Sequence, residues 1–504
     1  MNASLANPAR TAHSAPTAAR NGARYGDRRD VSAALFVLLL TSALLGLLIA
    51  LEVAGYASLS ALDLWGRTLL ASDGAVRAPS VIAAFPPLPY LAAISMDLAL
   101  PQLGQTILPI ITAAFFALML IGWGRAFAQE TMPRAGVMVA VVLLGTNPVL
   151  LRSLAEGPGW ASLHAGLSML AIGLFNLRRE HRINDVILVA LSLPVIALSD
   201  PLGLVIVIAA IPCIMLCVPD MQMDRSPVGV MMTLLFPVAF ILFGFAYTNW
   251  IFNDDPWAFL GSFNELHIAP LVPDRELHTA LTGMVVSAPI LAAIIVRTRR
   301  QSGLRRATLA ISLCAVLAAM IAWAIGLWPS AVQIASLTIP LAMAAATRWP
   351  QGRAGGERRI LLLLAMGWAG GALFFWNASD TESERIRAAL TGAPMAAADA
   401  EMAALGLALQ GRNDILFDAE AAPAAIALRG SADGISAAST MRFRIAGLKQ
   451  FAGAEVQVVR DTRSARGADA MGRTFPRLHE HGLPGYRLLH EGPDWRAWIR
   501  KDTQ

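Results

Sequence analysis

Residues 31–55 read VSAALFVLLLTSALLGLLIALEVAG, with Glu52 the one charged side chain in the run. A helix rises about 1.5 Å per residue, so this stretch is long enough for a hydrocarbon core of about 30 Å. Inside lipid the backbone must satisfy its own polar groups, so the run is predicted to be a membrane-spanning helix. Similar blocks recur downstream. Spans are expected at 105–123, 136–151, 162–177, 184–198, 202–218, 228–250, 277–296, 307–327, 331–346 and 360–376, about eleven with the first. The composition agrees. Of 504 residues, 56% are hydrophobic and 15% charged, and the mean hydropathy is +0.55, whereas soluble domains carry about 25% charged residues. The predicted fold class is a polytopic α-helical membrane bundle, residues 31–376, followed by a small α/β domain over 377–504.

The formal charge of +5 is no nucleic-acid signature, because the cations stand in short clusters between apolar blocks. Arg125 and Arg134, then Arg178, Arg179 and Arg182, then Arg225, then the groups at 297–306 and 348–359, fall in alternate loops. The intervening loops hold only Arg67, Arg77, Arg152 and Arg275. Basic residues stay on the cytoplasmic side, so the N-terminus is expected inside a bacterial inner (cell) membrane. An odd number of spans then leaves the C-terminal domain periplasmic. Residues 1–30 are expected to form a disordered cytoplasmic tail. Cys213, Cys217 and Cys314 lie within apolar blocks and imply no disulfide framework.

No internal repeat supports a transporter of two inverted halves, and no span carries the acid–base pair of an ion relay. The chemistry is therefore expected at the outer membrane–water boundary. The first external loop, 56–104, is predicted to hold a surface helix over 61–72 with Asp63, Trp65 and Arg67. A turn at Asp73-Gly74 follows, then Phe85-Pro86-Pro87-Leu88-Pro89-Tyr90 leading into a helix. Proline is tolerated in a first helical turn, and Tyr90 is expected to anchor at headgroup level. A proline-stiffened connector is the plainer reading of the same run.

The order of one span, an external loop with an early acidic residue, a Pro-Pro-Leu-Pro-Tyr-Leu run and a second span resembles the GT-C membrane glycosyltransferases. That superfamily includes the aminoarabinose and protein O-mannosyl transferases. Asn147-Pro148 at the end of the third span, the hairpin about Asp200-Pro201, and residues 245–259, reading FAYTNWIFNDDPWAF, are similar to features of the family. Gly485–Leu488 and Trp495–Arg500 resemble the closing strands of its external domains. The chain departs from the family where Asp63 is followed by Leu64 rather than Glu, and where Ser199-Asp200 replaces a basic residue before the hairpin proline.

The resemblance implies transfer of a sugar from a polyprenyl-phosphate-linked donor to an external lipid, glycan or protein acceptor, with membrane lipids around the protein. An external carboxylate takes the acceptor's proton, and cations steady the leaving phosphate. Asp63 is the expected base and Asp73 the reserve. Arg67 and Arg152 are the expected phosphate ligands, although each has a local ion pair as its plainer reading: Arg67 with Asp63, and Arg152 with Glu156. Pro86, Pro87, Tyr90, Asn249 and Trp250 are expected at the acceptor or interface side. Adjacent Asp254 and Asp255 suit a divalent metal, or, more plainly, a helix cap before Pro256; no other cofactor is implied. A lipid-linked-sugar flippase or transporter, and a non-catalytic component of polysaccharide assembly, are the alternatives.

Past residue 376 helices are expected at 379–390, 396–409, 421–428 and 467–481. Strands are expected at 415–417 and 455–460, with a hairpin over 485–500. No glycine-rich loop opens a helix there, so nucleotide binding is unsupported.

Overall fold

In the computed structural model, the described residues are 18–128, 133–180, 182–218, 226–257, 259, 302–325, 327, 329–340, 356–448, 453–464 and 467–501. Helix α1 (Ala18–Val53) starts well before the apolar block. Residues 18–30 are therefore helical rather than a disordered tail. Their Ala- and Arg-rich composition favours helix, and the adjoining span supplies the nucleus from which it can propagate.

The long segment after α1 folds into α2 (Leu59–Ser72), α3 (Ala78–Ala83), α4 (Pro87–Ala99) and a 3₁₀ turn (Pro101–Thr106). Then come α5 (Ile107–Ala128), α6 (Arg134–Gly145), α7 (Pro148–Leu154), α8 (Pro158–Glu180), α9 (Ile183–Ala197) and α10 (Pro201–Cys217). The bundle continues with α11 (Pro227–Asn253), α12 (Ser302–Ala324), α13 (Ala331–Ser336) and α14 (Gly356–Asn377).

Among the described residues five helices are long and apolar enough to cross a membrane, namely Ala33–Val53, Pro101–Ala126, Pro158–Arg178, Pro227–Phe252 and Arg358–Asn377. The pair α6 and α7, bent by 55°, makes a sixth if it is one span. The expected third span is thus broken rather than straight. Asn147 caps α7 by accepting the Val149 N–H at 3.1 Å, and Pro148 opens the new helix because its position needs no N–H. Residues 184–198 and 202–218 form apolar helices as expected, but short ones, Ile183–Ala197 and Pro201–Cys217. The expected span at 277–296 lies outside the described residues, as does the end of the one at 331–346. One core runs through the bundle, from Leu44 on α1 through Trp123, Phe175, Leu193 and Ile206 to Ala318.

The C-terminal region carries α15 (Thr381–Thr391), α16 (Ala400–Ala408) and α17 (Pro423–Arg429) about a five-stranded sheet. Its strands are β1 (Ile415–Leu416), β2 (Ile435–Ser436), β3 (Val456–Arg460), β4 (Tyr486–Glu491) and β5 (Trp495–Arg500), in the order β2-β1-β3-β5-β4. The parallel trio β2-β1-β3 continues into an antiparallel pair, with Val458 opposite Ala497 and Leu488 opposite Trp498. The expected helix over 467–481 is two short ones, Ala470–Thr474 and Leu478–His481, interrupted at Phe475-Pro476. Proline there has no N–H to continue the first.

Helix α2 is not a surface helix. Ala61, Leu62, Trp65, Leu69 and Leu70 share one buried core with Leu405, Ile415, Phe417, Ile426, Val458 and Trp495 of the C-terminal region. The first loop and the sheet are therefore a single packed body. Gly66 marks the closest approach: a Cβ there would lie 1.8 Å from the Pro423 carbonyl oxygen. Gly66→Ala is expected to destabilise the protein by about 1–3 kcal/mol, the usual cost of overpacking. Gly46→Ala, with nothing within 4 Å of its added methyl, should be close to neutral. Equal unfolding midpoints for the two variants in detergent would contradict this packing.

Candidate functional site

Where the loop, the bundle and the C-terminal region meet they enclose a cavity of about 600 Å³, within the range of small-molecule sites, about 300–1,000 Å³. Its wall is built by Ser58, Asp63 and Arg67 from α2 and its cap, and by Phe85, Pro86, Pro89 and Tyr90 at the start of α4. Arg152, Glu156, Gly159 and Trp160 come from the α7–α8 junction, and Ser199–Leu202 from the α9–α10 hairpin. Pro329, Ser330 and Gln333 come from the start of α13, and Asp380, Thr381 and Glu382 from the start of α15.

Local sequence explains each contribution. Ser58 caps α2 by accepting the Ala61 N–H at 3.0 Å, and its own hydroxyl donates to the Glu156 carbonyl at 2.7 Å. Asp63 and Arg67 then fall one turn apart on the cavity side. Arg67 Nη1 donates to the Phe85 carbonyl at 3.1 Å, tying α2 to the proline run. Ser330 and Gln333 form a capping box at α13. Asp380 caps α15 through the Ser383 N–H at 3.1 Å.

A buried charge network forms the floor. Arg152 pairs with Glu156, with Asp380 Oδ2 at 2.7 Å, and donates to Ser383 Oγ at 3.0 Å. Its local partner is therefore the one sequence spacing offered, and a second comes from a residue 228 positions away. Gln333 Nε2 donates to Glu156 Oε2 at 2.7 Å. Glu382 accepts from Tyr56 Oη at 3.0 Å and pairs with Arg385, which donates to the Ala57 carbonyl at 2.8 Å. Burial pushes the Asp380 carboxyl up, but Arg152 and Ser383 outweigh it and hold it below the usual carboxylate range.

Asp200 is in a different environment. It caps α10, with Oδ1 accepting the Leu202 N–H at 2.8 Å. The hairpin is closed tightly, since a Cβ on Gly203 would lie 1.9 Å from the Ile196 carbonyl oxygen. Burial pushes its carboxyl up to about 6, the Leu202 N–H offsets part of this, and the charge of Glu156 adds to it. A carboxyl that holds its proton more tightly folded than unfolded stabilises the fold most below its unfolded value, about 3.9, and that contribution is lost as pH rises through about 6. Asp200→Asn should therefore gain thermal stability over the wild type at pH 8 relative to pH 4.5. A difference in midpoint that does not change with pH would contradict the assignment.

Of the residues picked out from sequence, the cavity gathers Asp63, Arg67, Pro86, Tyr90 and Arg152. Pro87 is buried as the first residue of α4. Tyr90 is not an interfacial anchor: it is 4% exposed and donates to the Arg67 carbonyl at 3.3 Å. Asp73 stands off the cavity at the end of α2, where Oδ2 accepts the Ala432 N–H at 2.8 Å. Asn249 is buried, bonding back to the Phe245 carbonyl at 3.0 Å, while Trp250 is exposed; neither lines the cavity. Phe245 and Phe259 of the same run do reach it indirectly, packing on Phe85 at 6.3 and 5.7 Å between ring centroids.

Asp254 ends α11 and Asp255 accepts the Trp257 N–H at 2.9 Å, closing a local turn. Among the described residues no group of three or more His, Cys, Asp or Glu is arranged to hold a metal ion. Glu156, Asp200, Asp380 and Glu382 were not singled out as site residues from sequence. Asp200-Pro201 reads as a hairpin and 379–390 as a helix; in the structure Asp200 and Asp380 cap helices and line the cavity. No family model matches the chain, and no curated protein matches it.

Proposed function

We propose that this cavity moves a sugar from a polyprenyl-phosphate donor to an external lipid, glycan or protein acceptor. The observation that carries the reading is a convergence of helix starts. The first residues or caps of α2, α4, α8, α10 and α15 all lie in one wall. Helix N-termini carry partial positive charge, an environment that favours a phosphate. Arg67 and Arg152 stand in the same wall. A site for a charged phosphate beside apolar helices suits a donor whose tail remains in lipid. The sequence resemblance to GT-C transferases points the same way.

On this reading about eleven spans cross the inner membrane, the N-terminus is cytoplasmic, and the cavity opens on the periplasmic side. The acceptor hydroxyl gives its proton to Asp63 as its oxygen bonds to the sugar's anomeric carbon. The bond from that carbon to the phosphate oxygen breaks, and the electron pair leaves with the phosphate. Arg67 is the cation facing the charge that develops there. Arg152 pairs with both Glu156 and Asp380 and holds the phosphate side of the wall in place.

Purified protein given a polyprenyl-phosphate sugar pool and membrane acceptors should release free polyprenyl phosphate in step with glycosylated product. Movement of intact lipid-linked sugar across a vesicle membrane without covalent transfer would instead identify a flippase.

A further inference from the structure

Five carboxylates line the cavity: Asp63, Glu156, Asp200, Asp380 and Glu382. Glu156 and Asp380 are held by Arg152, and Glu382 by Arg385 and Tyr56. Asp200 makes no ion pair among the described residues; its one bond to them is the N–H of Leu202 at Oδ1. Oδ2 is thereby left to the cavity, on the side where α8 begins, 3.9 Å from where a Cβ on Gly159 would stand. The carboxyl is also rigidly placed. The Leu88 N–H bonds the Leu198 carbonyl at 3.0 Å, joining the hairpin to the start of α4. Gly159 lets α8 approach the Ser199 carbonyl to 3.1 Å from its own Cβ position. A side chain needed only as a helix cap could be Ser or Asn with equal effect.

We infer that Asp200 is a second catalytic carboxyl, the acid that protonates the departing phosphate oxygen. This rests on the transferase reading of the same cavity. As the bond from the anomeric carbon to oxygen breaks, the electron pair goes to that oxygen, which takes the Asp200 proton. The acceptor's proton goes to Asp63. The products are the glycoside, singly charged polyprenyl phosphate, protonated Asp63 and the Asp200 carboxylate; one proton passing through water from Asp63 to Asp200 restores the start.

The environment matches the task. Burial keeps a proton on Asp200 up to about pH 6, close to the second ionisation of a phosphate monoester, about 6, and such matching makes transfer efficient. The charged groups around it are Glu156 and Arg152 at the α7–α8 junction, Asp63 and Arg67 on α2, and Asp380 and Glu382 on α15. Apart from the two arginines all are acidic, which favours the protonated form.

The test compares full-length wild type with Asp200→Asn, whose amide oxygen still accepts the Leu202 N–H, by release of polyprenyl phosphate from a membrane-derived lipid-linked sugar pool across pH 5–8. The wild-type rate should decline as pH rises above about 6. Asp200→Asn should be slower by about 10²–10⁴-fold and lack that limb, with donor binding retained. Infrared difference spectra supply a measurement that needs no turnover: a protonated-carboxyl band absent from Asp200→Asn should titrate near pH 6. Wild-type rate and profile in Asp200→Asn, or a band that titrates near pH 4, would overturn the inference and leave the transferase reading standing. A wild type that releases no polyprenyl phosphate would overturn both.

Discussion

Asp63→Asn should lower turnover by about 10²–10⁴-fold, the usual contribution of a positioned base, with donor binding and folding unchanged. The amide fills the same space on α2 but cannot take the acceptor's proton. Asp63 lies on the cavity side of a helix that is fixed at both ends. Ser58 caps its start, and Asp73 ends it against the Ala432 N–H. Its core face is locked by Trp65 and Leu69. The variant therefore has little freedom to bring another group into place. Asp73→Asn is the matched comparison: it keeps an acceptor oxygen for Ala432 and stands away from the cavity, so its rate should stay near wild type. Turnover by Asp63→Asn at the wild-type rate would remove Asp63 from the mechanism, and loss of turnover in Asp73→Asn alone would exchange the two.

Arg152→Met is expected to destabilise the protein by about 3–5 kcal/mol, because it leaves buried carboxylates without their cation. Arg152 is 3% exposed and its guanidinium spans two parts of the molecule, Glu156 beside α7 and Asp380 at the head of α15. Methionine replaces the length of the side chain but neither charge nor fork. Arg152→Lys should recover only part of the loss, since one ammonium cannot meet both carboxylates and Ser383 in a planar array. Adding Glu156→Gln to Arg152→Met should restore some stability by removing one stranded charge, a coupling that a double-mutant cycle reads directly. Single variants whose chemical-denaturation midpoints equal the wild type's would show that the network carries no load.

Much of the architecture was legible because burial in lipid leaves a strong trace. Blocks such as 31–55 and 228–250 stand out by length and composition, and the hairpin expected over 485–500 is present as β4 and β5. The helix expected over 379–390 begins at Thr381 with Asp380 as its cap, and the hairpin expected about Asp200-Pro201 joins two apolar helices. The remainder depended on contacts between distant residues. Nothing in LSALDLWGRTLL says that its apolar face meets Phe417 and Trp495, or that Gly66 must admit the Pro423 carbonyl. That packing is why a presumed surface helix proved buried. Strand β2, two residues long, is too short for any alternation to show.

The candidate site was half legible for a related reason. Asp63, Arg67 and Arg152 could be selected as charges at an apolar boundary. Asp73 looked equivalent in sequence, and only the position of Ala432 separates it from the cavity. Asp200 marked a hairpin and Asp380 the start of an expected helix; that both cap helices and meet in one wall is a property of the bundle. Asp254-Asp255 shows the opposite outcome, where an acidic pair is a turn and cap.

The most direct test of the account is which side of the membrane the cavity faces. Ser60 is exposed and lines it, whereas Cys213, Cys217 and Cys314 are buried. With those three cysteines replaced, Ser60→Cys should react with a membrane-impermeant maleimide on intact spheroplasts, and excess polyprenyl phosphate should slow the reaction. Labelling only after the membrane is opened would place the carboxylates on the cytoplasmic face and contradict transfer at the outer surface.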